Sequence, residues 1–145
     1  MENVLRIVKV EPGKPATETR IVNRLEDMQY CVGGDIGVYT ITKAGHQDAV
    51  LVYNEEGKYL GLPMNRALYG DPFCVPFGTK ALRDIICGTF FICGVDPKTQ
   101  DFTSLTVEQV QEYMKKFKTP ERFCIDPKRK EVTIYRENQG TVYHL

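Results

Sequence analysis

Val4 to Val10 (VLRIVKV) alternates apolar and charged side chains, the period-two pattern of a half-buried strand. Glu11-Pro12-Gly13-Lys14-Pro15 breaks it with turn chemistry, and residues 17–21 extend again. Asn23 stands as a helix N-cap with Glu26 three residues on, which predicts a short helix through Leu25, Met28 and Gln29, stopped by Gly33-Gly34. Residues 36–42 (IGVYTIT) and 49–53 (AVLVY) read as strands around a polar turn at 43–48. Residues 54–58 (NEEGK) read as a tight turn with Gly57 at a positive φ, and 59–62 as an extended piece returning beside the strand.

Residues 63–78 (PMNRALYGDPFCVPFG) break all periodicity, the mark of an ordered, functional loop, with a helical turn over 65–68. Residues 81–86 fit helix or strand. Residues 88–95 (GTFFICGV) read as a buried strand, because Phe90, Phe91 and Ile92 leave it no polar face. The clearest helix follows. Thr106 and Gln109 form a capping box, Leu105 and Val110 a hydrophobic staple, and Val107, Val110, Met114 and Phe117 share one side. Lys115, Lys116 and Lys118 sit where the helix dipole favours cations, and Pro120 ends the run. Residues 123–125, 132–135 and 141–143 are short alternating stretches joined by polar turns, a small meander. The expected fold is one α+β domain over 1–145: a small mixed or antiparallel sheet with one or two helices packed on it and a short C-terminal β-meander, divided into a core at 1–119 and a β-rich extension at 120–145.

Charge narrows the partners. Nineteen basic residues balance nineteen acidic ones, whereas nucleic-acid binders carry a basic excess that neutralises phosphates. Direct nucleic-acid binding therefore ranks last. No run of about 18 apolar residues exists to span a bilayer, and residues 1–4 lack a signal-peptide layout. Five scattered cysteines (31, 74, 87, 93, 124) form no Cys-x-x-Cys pair, and the histidines are His46 and His144, so a cytoplasmic protein without structural metal is expected. Cys87 and Cys93 lie in apolar runs and read as small buried hydrophobes.

Catalytic signatures are scarce. There is no glycine-rich phosphate loop of standard spacing, no Gly-x-Ser-x-Gly and no His-Glu-x-x-His, and the adjacent Glu55 and Glu56 fit a solvated turn. The chain reads as a binder rather than an enzyme, with no cofactor. The segment 54–70 (NEEGKYLGLPMNRALYG) concentrates the binding chemistry. Arg66 offers a planar fork of donors for phosphate or carboxylate, and Lys58 a point charge. Asn54 and Asn65 offer amides, Tyr69 a stacking face, and Gly57 and Gly61 close backbone approach. Thr89 adds a hydroxyl at a strand end. Each has a plainer reading: a surface arginine paired with Glu55 or Glu56, a packed tyrosine, a threonine that simply suits a strand.

The order of several motifs resembles a domain-of-unknown-function family found in phages and mobile elements of Gram-positive bacteria. The matching residues are Glu11-Pro12-Gly13-Lys14, Asn23-Arg24-Leu25-Glu26, Val32-Gly33-Gly34-Asp35-Ile36, Asn54-Glu55-Glu56-Gly57-Lys58 running on to Gly61-Leu62-Pro63 and Asn65-Arg66, then Asp84-Ile85-Ile86 with Gly88-Thr89-Phe90-Phe91, and Phe102-Thr103-Ser104-Leu105-Thr106. The resemblance covers roughly 5 to 117; the longer 69–79 loop and the tail after Pro120 depart from it.

What the resemblance implies is a setting. Small phage proteins without catalytic residues often counter host defence, some as compact oligomeric sponges that hold cyclic or ADP-ribose-type signalling nucleotides. The expectation is a homo-oligomer in the host-cell cytoplasm that sequesters a small phosphorylated nucleotide through Arg66, Asn65, Lys58, Asn54, Tyr69 and Thr89. The alternative is an interaction protein that inhibits a host defence protein directly, for example by adding a strand to it. A metal-free cyclic-nucleotide hydrolase is the weaker alternative.

Overall fold

The computed structural model describes residues 3–41, 48–70 and 82–145. In chain order the elements are β1 (Val4–Val10), β2 (Thr17–Val22), α1 (Leu25–Val32), β3 (Ile36–Thr40), β4 (Ala49–Asn54), β5 (Met64–Tyr69), β6 (Leu82–Cys87), β7 (Phe90–Val95), β8 (Phe102–Thr103), α2 (Val107–Lys116), β9 (Glu121–Asp126), β10 (Glu131–Arg136) and β11 (Gln139–His144). Eleven strands in three sheets against two short helices make the described fold mainly β. The balanced α+β layout expected from the sequence is therefore corrected.

The large sheet runs β2-β1-β7-β4-β3, with β8 beside β7, and every pairing in it is antiparallel. Its centre is buried on both faces. Leu5 and Ile7 of β1, Val50 and Val52 of β4, and Phe91 and Cys93 of β7 pack under Met28 and Val32 of α1. The alternate positions Val8, Val10, Leu51, Phe90 and Ile92 pack under Val110, Tyr113 and Phe117 of α2 and under Leu68 and Ile86 of the β5–β6 pair. β1 is thus a central strand rather than a half-buried one. Fully burying each such side chain contributes roughly 1.5–3 kcal/mol. The outer face of β5–β6, through Ala67 and Ile85, then takes Val132 and Ile134 of the β9–β10–β11 meander.

Local chemistry explains the clear elements. Thr106 and Gln109 close a capping box on α2, with Gln109 N donating to Thr106 Oγ1 at 3.1 Å and Thr106 N to Gln109 Oε1 at 2.9 Å. Gly33 stops α1 in the left-handed region at φ 84°. Cys87 and Cys93 are buried. Other details differ. Arg24, not Asn23, occupies the N-cap of α1 and makes no side-chain cap bond, while Asn23 Nδ2 donates to Phe102 O. Val107 faces solvent, and Tyr113 takes its place in the buried face of α2. Residues 59–62 turn rather than extend, with Leu60 N donating to Glu56 O and Leu62 N to Gly57 O.

The expected helical turn at 65–68 is part of β5. Asn, Arg, Ala and Leu have no strand preference of their own; pairing with β6 overrides local propensity. Most of the 43–48 turn, His46, and the 71–79 stretch with Phe73, Cys74 and Phe77 lie outside the described residues. Among the described residues no helix is long and apolar enough to cross a membrane.

Candidate functional site

Five of the six residues read as ligand-binding lie along one stretch of chain, yet the fold sends them to different tasks. Between Met64 and Arg66 the β5–β6 register slips, so that two residues of β5 oppose one of β6. Such a bulge turns two consecutive side chains inward. Asn65 is fully buried, and its Nδ2 donates to Val10 O at 2.8 Å and Gly88 O at 2.9 Å. Arg66 is 1 % exposed. Its Nη1 donates to Asn65 O at 3.2 Å and Asn65 Oδ1 at 2.9 Å, and its Nη2 to Lys14 O at 2.7 Å and Phe117 O at 2.9 Å. The guanidinium expected to meet a phosphate instead ties the 11–16 turn, β5 and the C-terminus of α2 together, where the helix dipole favours a cation. Burial pushes its pKa down, and Glu121 pulls it back up. Glu55 and Glu56 are exposed and do not pair with it.

Asn54 is likewise internal. Its Nδ2 donates to Val32 O at 3.2 Å, satisfying a terminal carbonyl of α1, and its Oδ1 accepts from Glu56 N at 2.9 Å. Gly57 has no positive φ; it is glycine because a Cβ there would stand 2.5 Å from Cys87 O. Lys58 is exposed, and its Nζ bonds Asp84 Oδ1. Asp84 also accepts from the Tyr39 hydroxyl and from Ile85 N. Burial alone would raise the Asp84 pKa, but these three donors hold it below the ordinary carboxylate range. Thr89 is half-buried in the link between β6 and β7.

Two of the six reach sizeable cavities: Lys58 lines one of about 410 Å³ with Met64, Asp84 and His144, and Tyr69 lines another. A cleft of about 630 Å³ opens where the β3 edge, β5, β6, α2 and β10 converge, lined by residues of all five. Ile41 and Gly70, the last described residues before 42–47 and 71–81, also line it. Among the described residues four cations face this space, Arg83, Lys115, Lys116 and Arg136, against one carboxylate, Glu112. Two phenol rings join them. Tyr39 stacks on Tyr53 with centroids 5.1 Å apart, and the Arg83 guanidinium lies 5.8 Å from the Tyr39 centroid. Tyr69 packs 6.1 Å from Tyr143 and donates to Glu121 Oε2 at 3.1 Å; burial first, then Glu121, raises its pKa.

Lys115 and Lys116 carried only a helix-dipole reading in the sequence, Tyr39 only a place in the strand read at 36–42, and Arg83 and Arg136 no reading of their own. No spacing rule joins positions 39, 69, 83, 115, 116 and 136. The available signal was indirect: a chain of zero net charge whose α2 ends in a lysine pair. The arrangement can hold an anion that also carries a flat ring, since charge-assisted donors grip oxyanions and phenol faces accept stacking.

A family model described as Domain of unknown function (DUF3846) matches residues 5–118. No curated protein and no solved structure gave a match.

Proposed function

The chain belongs to the family described as Domain of unknown function (DUF3846), and from that premise and the charge of its cleft we propose that it binds a small phosphorylated nucleotide and holds it without turnover. The observation that carries this reading is charge segregation. The whole chain balances 19 cations against 19 anions, yet among the described residues four cations and one carboxylate line a single concave space. A volume of about 630 Å³ falls in the ~300–1,000 Å³ range of small-molecule sites. The polar lining groups are mainly donors and phenols, a set suited to gripping an anion rather than to relaying protons. The site moves from Arg66, Asn65 and Asn54, which hold the fold, to Arg83, Lys115, Lys116, Arg136, Tyr39 and Tyr69. The phage and mobile-element setting implied by the sequence resemblance supports a signalling nucleotide, cyclic or ADP-ribose-type, sequestered in the host cytoplasm to blunt defence.

The test is mass spectrometry of small molecules released by denaturing the purified protein, followed by calorimetric titration with cyclic oligonucleotides and ADP-ribose. Arg83→Gln and Lys115→Gln should each weaken binding about tenfold or more, as expected for a lost charge-assisted contact of about 1.5–3 kcal/mol. Both side chains line the cleft from different elements, so neither loss should lower the melting temperature appreciably. Release of a cleaved nucleotide would replace holding with hydrolysis. A second reading, direct inhibition of a protein by strand addition, draws on β11, an exposed edge strand whose Val142 is 53 % exposed. Co-purification of a stoichiometric protein with no nucleotide would favour it.

A further inference from the structure

The family match ends at residue 118, and the β9–β10–β11 meander follows it. That meander sends one long side chain into the cleft, Arg136 at the end of β10. Its Nε pairs with Glu121 Oε2 at 3.4 Å, while its side chain stays 46 % exposed. Among the described residues its two terminal nitrogens make no hydrogen bond, leaving one edge of the fork to the cleft.

Glu121 is an unusual anchor. Its side chain is 2 % exposed, and both carboxylate oxygens are engaged. Oε1 accepts from Ala67 N of β5 at 2.8 Å, and Oε2 from the Tyr69 hydroxyl at 3.1 Å. The carboxylate thus satisfies a backbone donor on β5, fixes a cleft phenol and aims a cleft cation in one position. A buried carboxylate held on three sides is a rigid aiming point, and an arginine steadied at Nε presents its terminal nitrogens as a planar pair. Two parallel N–H donors match two oxygens of one phosphate, which a lysine ammonium cannot do. Lys115 and Lys116, on α2 within the family match, supply charge but no such fork, and the Arg83 guanidinium is laid against the Tyr39 ring, 5.8 Å from its centroid, rather than aimed by a carboxylate.

Resting on the binding reading above, we infer that Arg136 is the cleft's phosphate-orienting residue and Glu121 its positioning residue, so that the meander beyond the family match sets which anion the site selects. The fork favours a tetrahedral oxyanion with two oxygens on one side, as in a phosphate monoester, diester or pyrophosphate, over a monovalent spherical anion.

The experiment titrates inorganic pyrophosphate into the full chain by ³¹P NMR at low ionic strength, with chloride as competitor. The proteins are wild type, Arg136→Lys, Glu121→Gln and the double variant, with circular dichroism confirming that each is folded at the working temperature. Arg136→Lys keeps the charge and should still weaken pyrophosphate binding about tenfold or more. Glu121→Gln should weaken it in the wild-type background and add little once Arg136 is lysine, because its effect passes through the fork; a merely structural role would add equally in both backgrounds. Wild-type binding with Arg136→Lys unchanged would overturn this inference and leave the binding reading standing. Failure of wild type to bind either pyrophosphate or any nucleotide would overturn both.

Discussion

Removing the Arg66 guanidinium should unfold part of the architecture rather than empty a binding site. Arg66→Met keeps a long side chain in the buried slot, so the change isolates the polar loss from the cavity term that Arg66→Ala would add. Phe117 O retains the bond from Ala16 N at 3.2 Å, but Lys14 O and Asn65 Oδ1 lose the guanidinium donors at 2.7 and 2.9 Å. Each buried acceptor left unsatisfied costs about 1–3 kcal/mol. Relief of the buried charge and of Arg66 Nε, which has no partner, offsets part of that cost. A net loss of about 3–4 kcal/mol follows, a fall of roughly 10 °C in melting temperature at this chain length. Arg66→Ala should fall further, and Arg66→Lys should recover only part, because one ammonium cannot span Lys14, Asn65 and Phe117 together. The assay is urea and thermal denaturation of all three variants beside nucleotide titration of whichever stay folded. An Arg66→Met protein that melts within about 2 °C of wild type, where roughly 10 °C is expected, would refute the structural assignment, and lost affinity in that same protein would return Arg66 to the binding site.

Three further outcomes follow from the geometry. Gly57→Ala places a methyl 2.5 Å from the Cys87 carbonyl oxygen, a backbone atom, and should lower the urea midpoint by an amount equivalent to about 2–3 kcal/mol. Glu137 joins β10 to β11 at φ 55°, so Glu137→Gly relieves left-handed strain and should raise stability by about 0.5–1 kcal/mol in the same melts. The Tyr39 hydroxyl donates to Asp84, and that bond, then burial, pushes its pKa up to about 12. A folded pKa above the unfolded one contributes stability that is complete below about pH 10 and disappears as pH rises through about 12. Between those limits wild type should lose stability faster than Tyr39→Phe, and parallel curves across the window would show that the Tyr39–Asp84 bond contributes nothing.

Much of the scaffold was legible in the sequence because its signals are local. Alternation marks β1, the Phe90-Phe91-Ile92 run marks a strand buried on both faces, Gly33 marks a left-handed stop, and Thr106 with Gln109 caps α2 using atoms three residues apart. β5 was not legible, because Asn65, Arg66, Ala67 and Leu68 are permissive in either state and only pairing with β6 makes them a strand. Nor was the bulge, which turns Asn65 and Arg66 inward together and changes what those residues do. Residue type gave the donor. An arginine fork binds a phosphate or three backbone carbonyls with the same atoms, and which acceptors it meets depends on chain segments 51 and 52 residues away. The cleft is the mirror case: Tyr39, Tyr69, Arg83, Lys115 and Arg136 come from five elements with no common spacing, and only the packing of the β5–β6 pair against α2 and the meander brings their charges into one space.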